Sequence, residues 1–188
     1  MTRQQVEIAW ESLSKRGEES CGDWVIVRSA PDSLYVTLSD GLGSGVKANI
    51  LATLTAEIAS SMLLRGAVID DVIETLVETL PECQVRHLAY ATIAVLQVFR
   101  GRTAYLVEYD SPSLILVRDG AVLELPAHER EVAGRTIREY HFDLELGDTM
   151  VIVSDGYVHA GVGGLLAQGV LRGGRYLKEI QRRRDIWG

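Results

Sequence analysis

The stretch Tyr35-Val-Thr-Leu-Ser-Asp-Gly-Leu-Gly-Ser-Gly-Val-Lys-Ala48 drives a carboxylate out of a β-prone run, through a glycine-rich turn and into a helix, and it limits the fold more than any other part of the chain. Tyr35, Val36, Thr37 and Leu38 favour extended backbone, while Gly41, Gly43 and Gly45 permit turns that side chains would obstruct. Ser44 is placed to cap a helix that starts near Val46. Asp40 falls at the junction and is aimed at the mouth of a sheet.

The arrangement returns 115 positions later in Met150-Val-Ile-Val-Ser-Asp-Gly156, another apolar run ending in Ser-Asp-Gly. If the two strands are neighbours in one fold, Asp40 and Asp155 converge on hard divalent cations, which prefer carboxylate, carbonyl and water oxygens. Asp-Gly is first of all a turn signal, however. Asp119-Gly120, between Leu114-Ile-Leu-Val117 and Ala121-Val-Leu-Glu-Leu125, is fully explained as a hairpin turn. Asp23 gains weight from its surroundings. Trp24-Val-Ile-Val27 and Leu34-Tyr-Val-Thr-Leu38 read as a hairpin around Pro31-Asp32, and an antiparallel hairpin sets the start of its first strand beside the end of its second. Asp23 and Asp40 are then neighbours.

Composition narrows the class. The 188 residues suffice for one sizeable core, and residues 1–188 read as a single domain whose segment 165–188 is basic. No apolar run nears the roughly 18 residues of a membrane span, and Met1-Thr-Arg-Gln-Gln-Val-Glu-Ile8 has no signal-peptide core, so a cytoplasmic protein without membrane contact is expected. A net charge of −7 argues against nucleic acid, whose phosphates call for clustered Lys and Arg. Arg172, Arg175, Lys178, Arg182, Arg183 and Arg184 form a local basic run, read as a solvated helix end or as a docking patch for an acidic partner. Cys21 and Cys83 are too isolated for a disulfide framework or a cysteine zinc site.

Along the chain, Val6-Glu-Ile-Ala-Trp10 alternates weakly and reads as a first strand. Ile50, Leu51, Leu54, Ile58, Met62 and Leu63 recur at helical spacing and read as the core face of a helix over 46–64. Asp71 and Glu74 form a candidate capping box for a second helix, with Val72, Ile73, Leu76, Val77 and Leu80 as its buried stripe and Pro81 as its stop. Strands are expected over 90–99, 103–108, 114–117, 121–125, 136–144 and 149–153, with short loops that imply antiparallel pairing. The sum is an α+β sandwich with helices over packed sheets. His159 is a candidate for proton exchange near the site, whereas His87, His128 and His141 lack ligand spacing.

Gly22-Asp23, Asp40-Gly-Leu-Gly-Ser-Gly45, Thr92 in a central strand and Ser154-Asp-Gly156 occur in the order in which the PPM-type metal-dependent serine/threonine phosphatases carry them. Over roughly residues 20–165 the chain resembles that family, and within it the bacterial branch typified by the phosphatase domain of stage II sporulation protein E. The resemblance implies a β-sandwich of two mainly antiparallel sheets flanked by helices, with two Mn²⁺ or Mg²⁺ ions between the sheets. It also implies roles: Asp40 bridging the ions, the Gly41 carbonyl binding one, Asp155 holding another and Asp23 supporting the cluster. The implied substrate is a phosphorylated regulatory protein, hydrolysed at phosphoserine or phosphothreonine by metal-activated water, so that Asp40 and Asp155 carry catalysis.

Family members usually close with an acidic pair, a Thr and a hydrophobic strand. Here the sequence runs Gln181-Arg-Arg-Arg-Asp-Ile-Trp-Gly188, and Asp185 does not match. Against the family pattern, segment 165–188 is therefore expected to be divergent or truncated and the final strand missing or diverged, and an edge so exposed could pair with another chain in a homo-oligomer. A catalytically weak regulatory module of the same fold is the alternative function. A nucleotide binder fits poorly, because the Gly41–Gly45 loop lacks both the Gly-Lys-Ser/Thr ending and the Gly-x-Gly-x-x-Gly spacing.

Overall fold

The computed structural model describes residues 5–14, 17–43, 45–79 and 91–158. They fall into two compact units, Met1–Ser154 and Asp155–Gly188. Within the first, element order is β1 (Asp23–Ser29), β2 (Ser33–Gly41), α1 (Gly45–Leu64), α2 (Ile69–Thr79), β3 (Ala91–Phe99), β4 (Thr103–Tyr109), β5 (Ile115–Arg118), β6 (Ala121–Leu123), β7 (His128–Val132), β8 (Arg135–Asp143) and β9 (Thr149–Val151). In the second unit the described part is α3 (Asp155–Val158).

The strands form a six-stranded sheet in the order β1-β2-β3-β4-β8-β7 and a three-stranded sheet in the order β6-β5-β9. Every strand pair among the described residues is antiparallel. Alternation along the strands divides the large sheet's side chains between two cores. Leu38, Ala94, Leu96, Val98, Ala104 and Leu106 face the small sheet, with Leu114, Met150 and Ile152 packed against them. Ile93, Val95, Val107 and Ile137 face the helices and meet Ala59 of α1 and Val72, Ile73 and Leu76 of α2. The expected α+β sandwich is present.

Turn chemistry sets the register. Asp119-Gly120 joins β5 to β6 and Ala133-Gly134 joins β7 to β8, each a two-residue loop with φ near +50° and then above +70°. Both residues positive is the geometry whose twist suits a tight hairpin. The hairpin reading of Asp119-Gly120 therefore holds.

Helix α1 departs most from the sequence pattern. Its buried residues are Gly45, Ala48, Ala52, Thr55, Ala56, Ala59 and Ser60. Val46, Ile50 and Leu54 stand 59, 51 and 49% exposed, so the large apolar residues do not form the core face as a whole. Ile58, Met62 and Leu63 do pack, but only partly buried beside α2. The small face lets α1 lie close against β1, β2 and β3.

Other expectations are corrected as well. Residues 6–10 form no strand, although Val6 packs on the inter-sheet core. Strand β7 has no counterpart in the sequence reading: His128-Glu-Arg-Glu-Val132 is mostly charged and lies at the sheet edge, where exposure removes the apolar alternation. Helix α2 begins at Ile69, so Asp71 lies inside the first turn rather than at the cap, and β9 stops at Val151 rather than Val153. Ser44, Leu80, Pro81, Cys83, His87, His159 and the basic segment 165–188 lie outside the described residues, as does the question of a final strand.

Candidate metal centre

The β1–β2 hairpin places two carboxylates side by side. Its register sets Asp23 directly opposite Asp40, and on the other side Asp40 faces Thr92 of β3. The Gly41 amide donates to the Gly22 carbonyl at 3.0 Å. In antiparallel sheets a hydrogen-bonded pair is followed by a pair without mutual backbone bonds, whose Cα atoms lie closer, about 4.5 Å apart. Asp23 and Asp40 occupy that closer kind of position. Asp40 shares its face with Leu38, which lines the core between the sheets, so both carboxylates belong to the inter-sheet side.

The adjacent glycines serve space as much as conformation. A Cβ on Gly41 would lie 2.0 Å from the Ala48 carbonyl oxygen, so the first turn of α1 rests directly on the strand end. A Cβ on Gly22 would lie 3.3 Å from the Ala48 Cβ. Gly43 and Gly45, with φ of +109° and +72°, supply the conformations that turn the chain into the helix. Asn49 of α1 donates to the Cys21 carbonyl at 2.8 Å and fastens the strand entrance to the same helix.

Two directly opposed carboxylates repel by about 1 kcal/mol at 4 Å in water and about 4 kcal/mol at an effective dielectric of 20. A divalent cation converts that repulsion into a pair of ligands. Mg²⁺ in particular takes one or two carboxylates and keeps several waters. Asp23 and Asp40 thus fit a hard cation as part of a donor set. Among the described residues no group of three or more His, Cys, Asp or Glu side chains is gathered for a metal ion. Asp155 is exposed at the start of α3, in the second unit.

In the sequence Ser154 stands out only as part of a motif, yet its hydroxyl donates to Asp23 Oδ2 at 2.7 Å, across 131 residues of chain. The two Ser-Asp-Gly elements differ here, because Ser39 in β2 points to the opposite face from Asp40 and donates to the Thr92 carbonyl at 2.9 Å. No spacing rule could have separated the two serines. Only the parity of a strand against that of an extended exit distinguishes them.

A second residue that sequence reasoning missed is Glu108, a carboxylate fully buried on the inter-sheet face of β4. It accepts from the Leu114 amide at 2.7 Å and the Tyr140 hydroxyl at 3.1 Å and pairs with Arg138 at 2.8 Å. Burial raises its pKa against the lowering effect of these partners. Arg138 also donates to the Ser111 carbonyl, so the cluster fastens the 110–114 connection between the sheets. Asp110 and Asp143 behave as turn and surface residues, whereas the Asp148 side chain is buried in an ion pair. Asp110 has φ +49°, Asp143 accepts from Thr103, and Asp148 is held by Arg118 at 2.7 Å. Cys21 is a free thiol directed at the Leu13 carbonyl. His141 stacks on Tyr105 at 4.3 Å.

Comparison with known proteins follows the same outline. The family described as Stage II sporulation protein E (SpoIIE) matches residues 30–183. No curated protein matches. Among solved structures, the PP2C phosphatase domain of SpoIIE from Bacillus subtilis with a fragment of its regulatory domain superposes with TM-score 0.72 at 17% identity, covering 90% of this chain and 48% of that one. RsbX in complex with magnesium gives 0.59 at 21% identity, covering 78% and 72%. A bacterial serine phosphatase bearing a point mutation gives 0.62 at 13% identity, covering 94% and 91%. The chain spans about half the length of the SpoIIE structure it matches. At these identities the likeness establishes the fold, which is that of the PPM phosphatases.

Proposed function

The chain belongs to the SpoIIE family, and on that premise we propose that it is a metal-dependent phosphatase of phosphoserine or phosphothreonine in a phosphorylated regulatory protein. The observation that carries this reading is the direct opposition of Asp23 and Asp40 at the end of one hairpin. Asp40 and Asp23 would hold the cation, with the Gly41 carbonyl as a further donor. Asp155 would be a further ligand, as the resemblance to the PPM phosphatases implies for its Ser-Asp-Gly element. When bound, one or two Mn²⁺ or Mg²⁺ ions lower the pKa of water and neutralise phosphate charge. The chain's own part is to hold its carboxylates oriented and to present the phosphoryl group between the two sheets.

The proposed setting is the cytoplasm; among the described residues no helix is long and apolar enough to cross a membrane. Mn²⁺ titration by calorimetry, paired with phosphopeptide hydrolysis, tests the reading on the wild type and Asp40→Asn. Metal binding and turnover, both lost in the variant, are expected, and turnover that survives Asp40→Asn removes the mechanism. A second reading, a catalytically weak regulatory module, draws on the two-carboxylate edge among the described residues. Weak metal binding without turnover, with retained binding of a partner protein, would favour it.

A further inference from the structure

Ser154 leaves the small sheet just after β9, while Asp23 opens the first strand of the large sheet. Their hydrogen bond, at 2.7 Å, therefore bridges the sandwich at the end where the carboxylates meet. From this bridge we infer that Ser154 is a positioning residue, which fixes the Asp23 carboxylate for cation binding. The inference rests on the metal-dependent reading above and assigns a role within that site.

Three observations support it. First, a hydroxyl donated to an ionised carboxylate is a charge-assisted bond, about twice as strong as a neutral one. It engages Oδ2 and leaves Oδ1 to a cation. Second, Asp23 is already fixed at its backbone: its amide points at the Cys21 sulfur, 3.5 Å away, and its strand position is set by pairing with Asp40. The remaining freedom is the rotation of its side chain, and the Ser154 bond removes it. Third, Asp23 faces a like charge, so a free carboxylate would swing away from Asp40 in the absence of cation. The Ser154 bond opposes that swing and keeps the donor pair assembled for the incoming ion. Groups that orient a ligand from behind typically change metal affinity or activity by about 10–100-fold when removed.

The test uses Ser154→Ala, Ser154→Thr, Asp23→Asn and the double variant Ser154→Ala/Asp23→Asn. Mn²⁺ dissociation constants come from calorimetry, kcat and KM from phosphopeptide hydrolysis at saturating Mn²⁺, and unfolding midpoints from samples in EDTA. Ser154→Ala should weaken Mn²⁺ binding about 10–100-fold. It should recover most of kcat when Mn²⁺ is raised to saturation, with KM for the phosphopeptide unchanged. Ser154→Thr, which keeps the hydroxyl, should return Mn²⁺ affinity to within about threefold of wild type, and adding Ser154→Ala to Asp23→Asn should weaken binding no further. Unchanged Mn²⁺ affinity in Ser154→Ala overturns the inference, as does a Thr variant no better than the Ala variant. Wild-type protein that binds no Mn²⁺ overturns the metal-dependent reading itself. Non-additive unfolding midpoints in EDTA would then identify the bridge as purely structural and overturn the positioning role.

Discussion

Replacing Gly41 with alanine isolates the contact that seats α1 on the carboxylate pair. The new Cβ would lie 2.0 Å from the Ala48 carbonyl oxygen, 2.7 Å from its carbonyl carbon and 2.9 Å from its Cα. All three atoms are backbone, so no side-chain rotation relieves the clash. To reach even 3.0 Å, below which real Cβ contacts are essentially absent, α1 or the strand end must move by about 1 Å. Overpacking in a filled core costs about 1–3 kcal/mol. A rigid backbone partner places Gly41→Ala at the upper end, about 3 kcal/mol, or about 6–12 °C in melting temperature for a chain of this size. Because Gly41 does not adopt a positive φ, alanine is allowed there conformationally and the loss is steric alone. Gly22→Ala is the matched control: its Cβ meets a methyl group at 3.3 Å and should cost far less. Thermal unfolding by circular dichroism in EDTA, followed by Mn²⁺ titration, gives both readouts. Ala48→Gly should rescue Gly22→Ala but not Gly41→Ala, since it removes the methyl group and leaves the carbonyl. A Gly41→Ala protein that melts within about 2 °C of wild type (below about 1 kcal/mol), or one rescued by Ala48→Gly, refutes the reasoning.

The two faces of α1 should respond in the opposite order to that suggested by side-chain size. Leu54→Gln, at a half-exposed position, should change stability by no more than about 0.5 kcal/mol, while Ala52→Leu should cost about 1–3 kcal/mol, both read from urea unfolding. Glu139 is held below the usual carboxylate range, chiefly by its hydrogen bond from Arg130. A depressed pKa contributes stability that is present above the unfolded value of about 4.3 and is lost as pH falls through the folded value. Glu139→Gln should therefore lower stability at pH 7 and flatten the acid limb of the stability curve below about pH 4.3. Glu108 has the opposite sign: burial raises its pKa, so its ionisation costs stability as pH rises from about 4.3, and Glu108→Gln should remove that fall. Asp40→Asn should abolish Mn²⁺ binding, read by calorimetry, and a variant that binds Mn²⁺ as tightly as wild type would refute its place beside Asp23 in the cation site.

The hairpin and its paired carboxylates were legible because strand parity and antiparallel pairing depend on counting alone. Once Gly22-Asp23 and Asp40-Gly41 flank the same hairpin, the two Asp side chains fall on one face. The facing of α1 was not legible in the same way. Hydrophobicity ranks Ile50 and Leu54 above Ala48 and Ala52, but a helix that must bring its backbone against Gly41 has room only for small residues. Distance, not hydrophobicity, decided the face, and distance is a tertiary property. Strand β7 was hidden by its charges at an edge, where Arg130 reaches both Glu139 and Asp70. Ser154 was hidden because its partner lies 131 residues away, and only the packing of the two sheets brings them together.

These features bear on how such a site can exist before a cation arrives. Two facing carboxylates favour separation, yet three restraints of different origin hold Asp23 and Asp40 in place. Strand pairing fixes their backbones, the first turn of α1 closes the space at Gly41, and the Ser154 hydroxyl engages Asp23 from the other sheet. The first two restraints depend on hydrogen-bonded and packed backbone, so their cost is met when the domain folds rather than when metal binds. Sites carried on regular elements keep their geometry more closely than sites on loops. It follows that loss of metal should leave the Asp23–Asp40 edge assembled, and that changes in metal affinity should trace first to the residue that orients a side chain, Ser154, and only with loss of fold to the residues that fix the backbone.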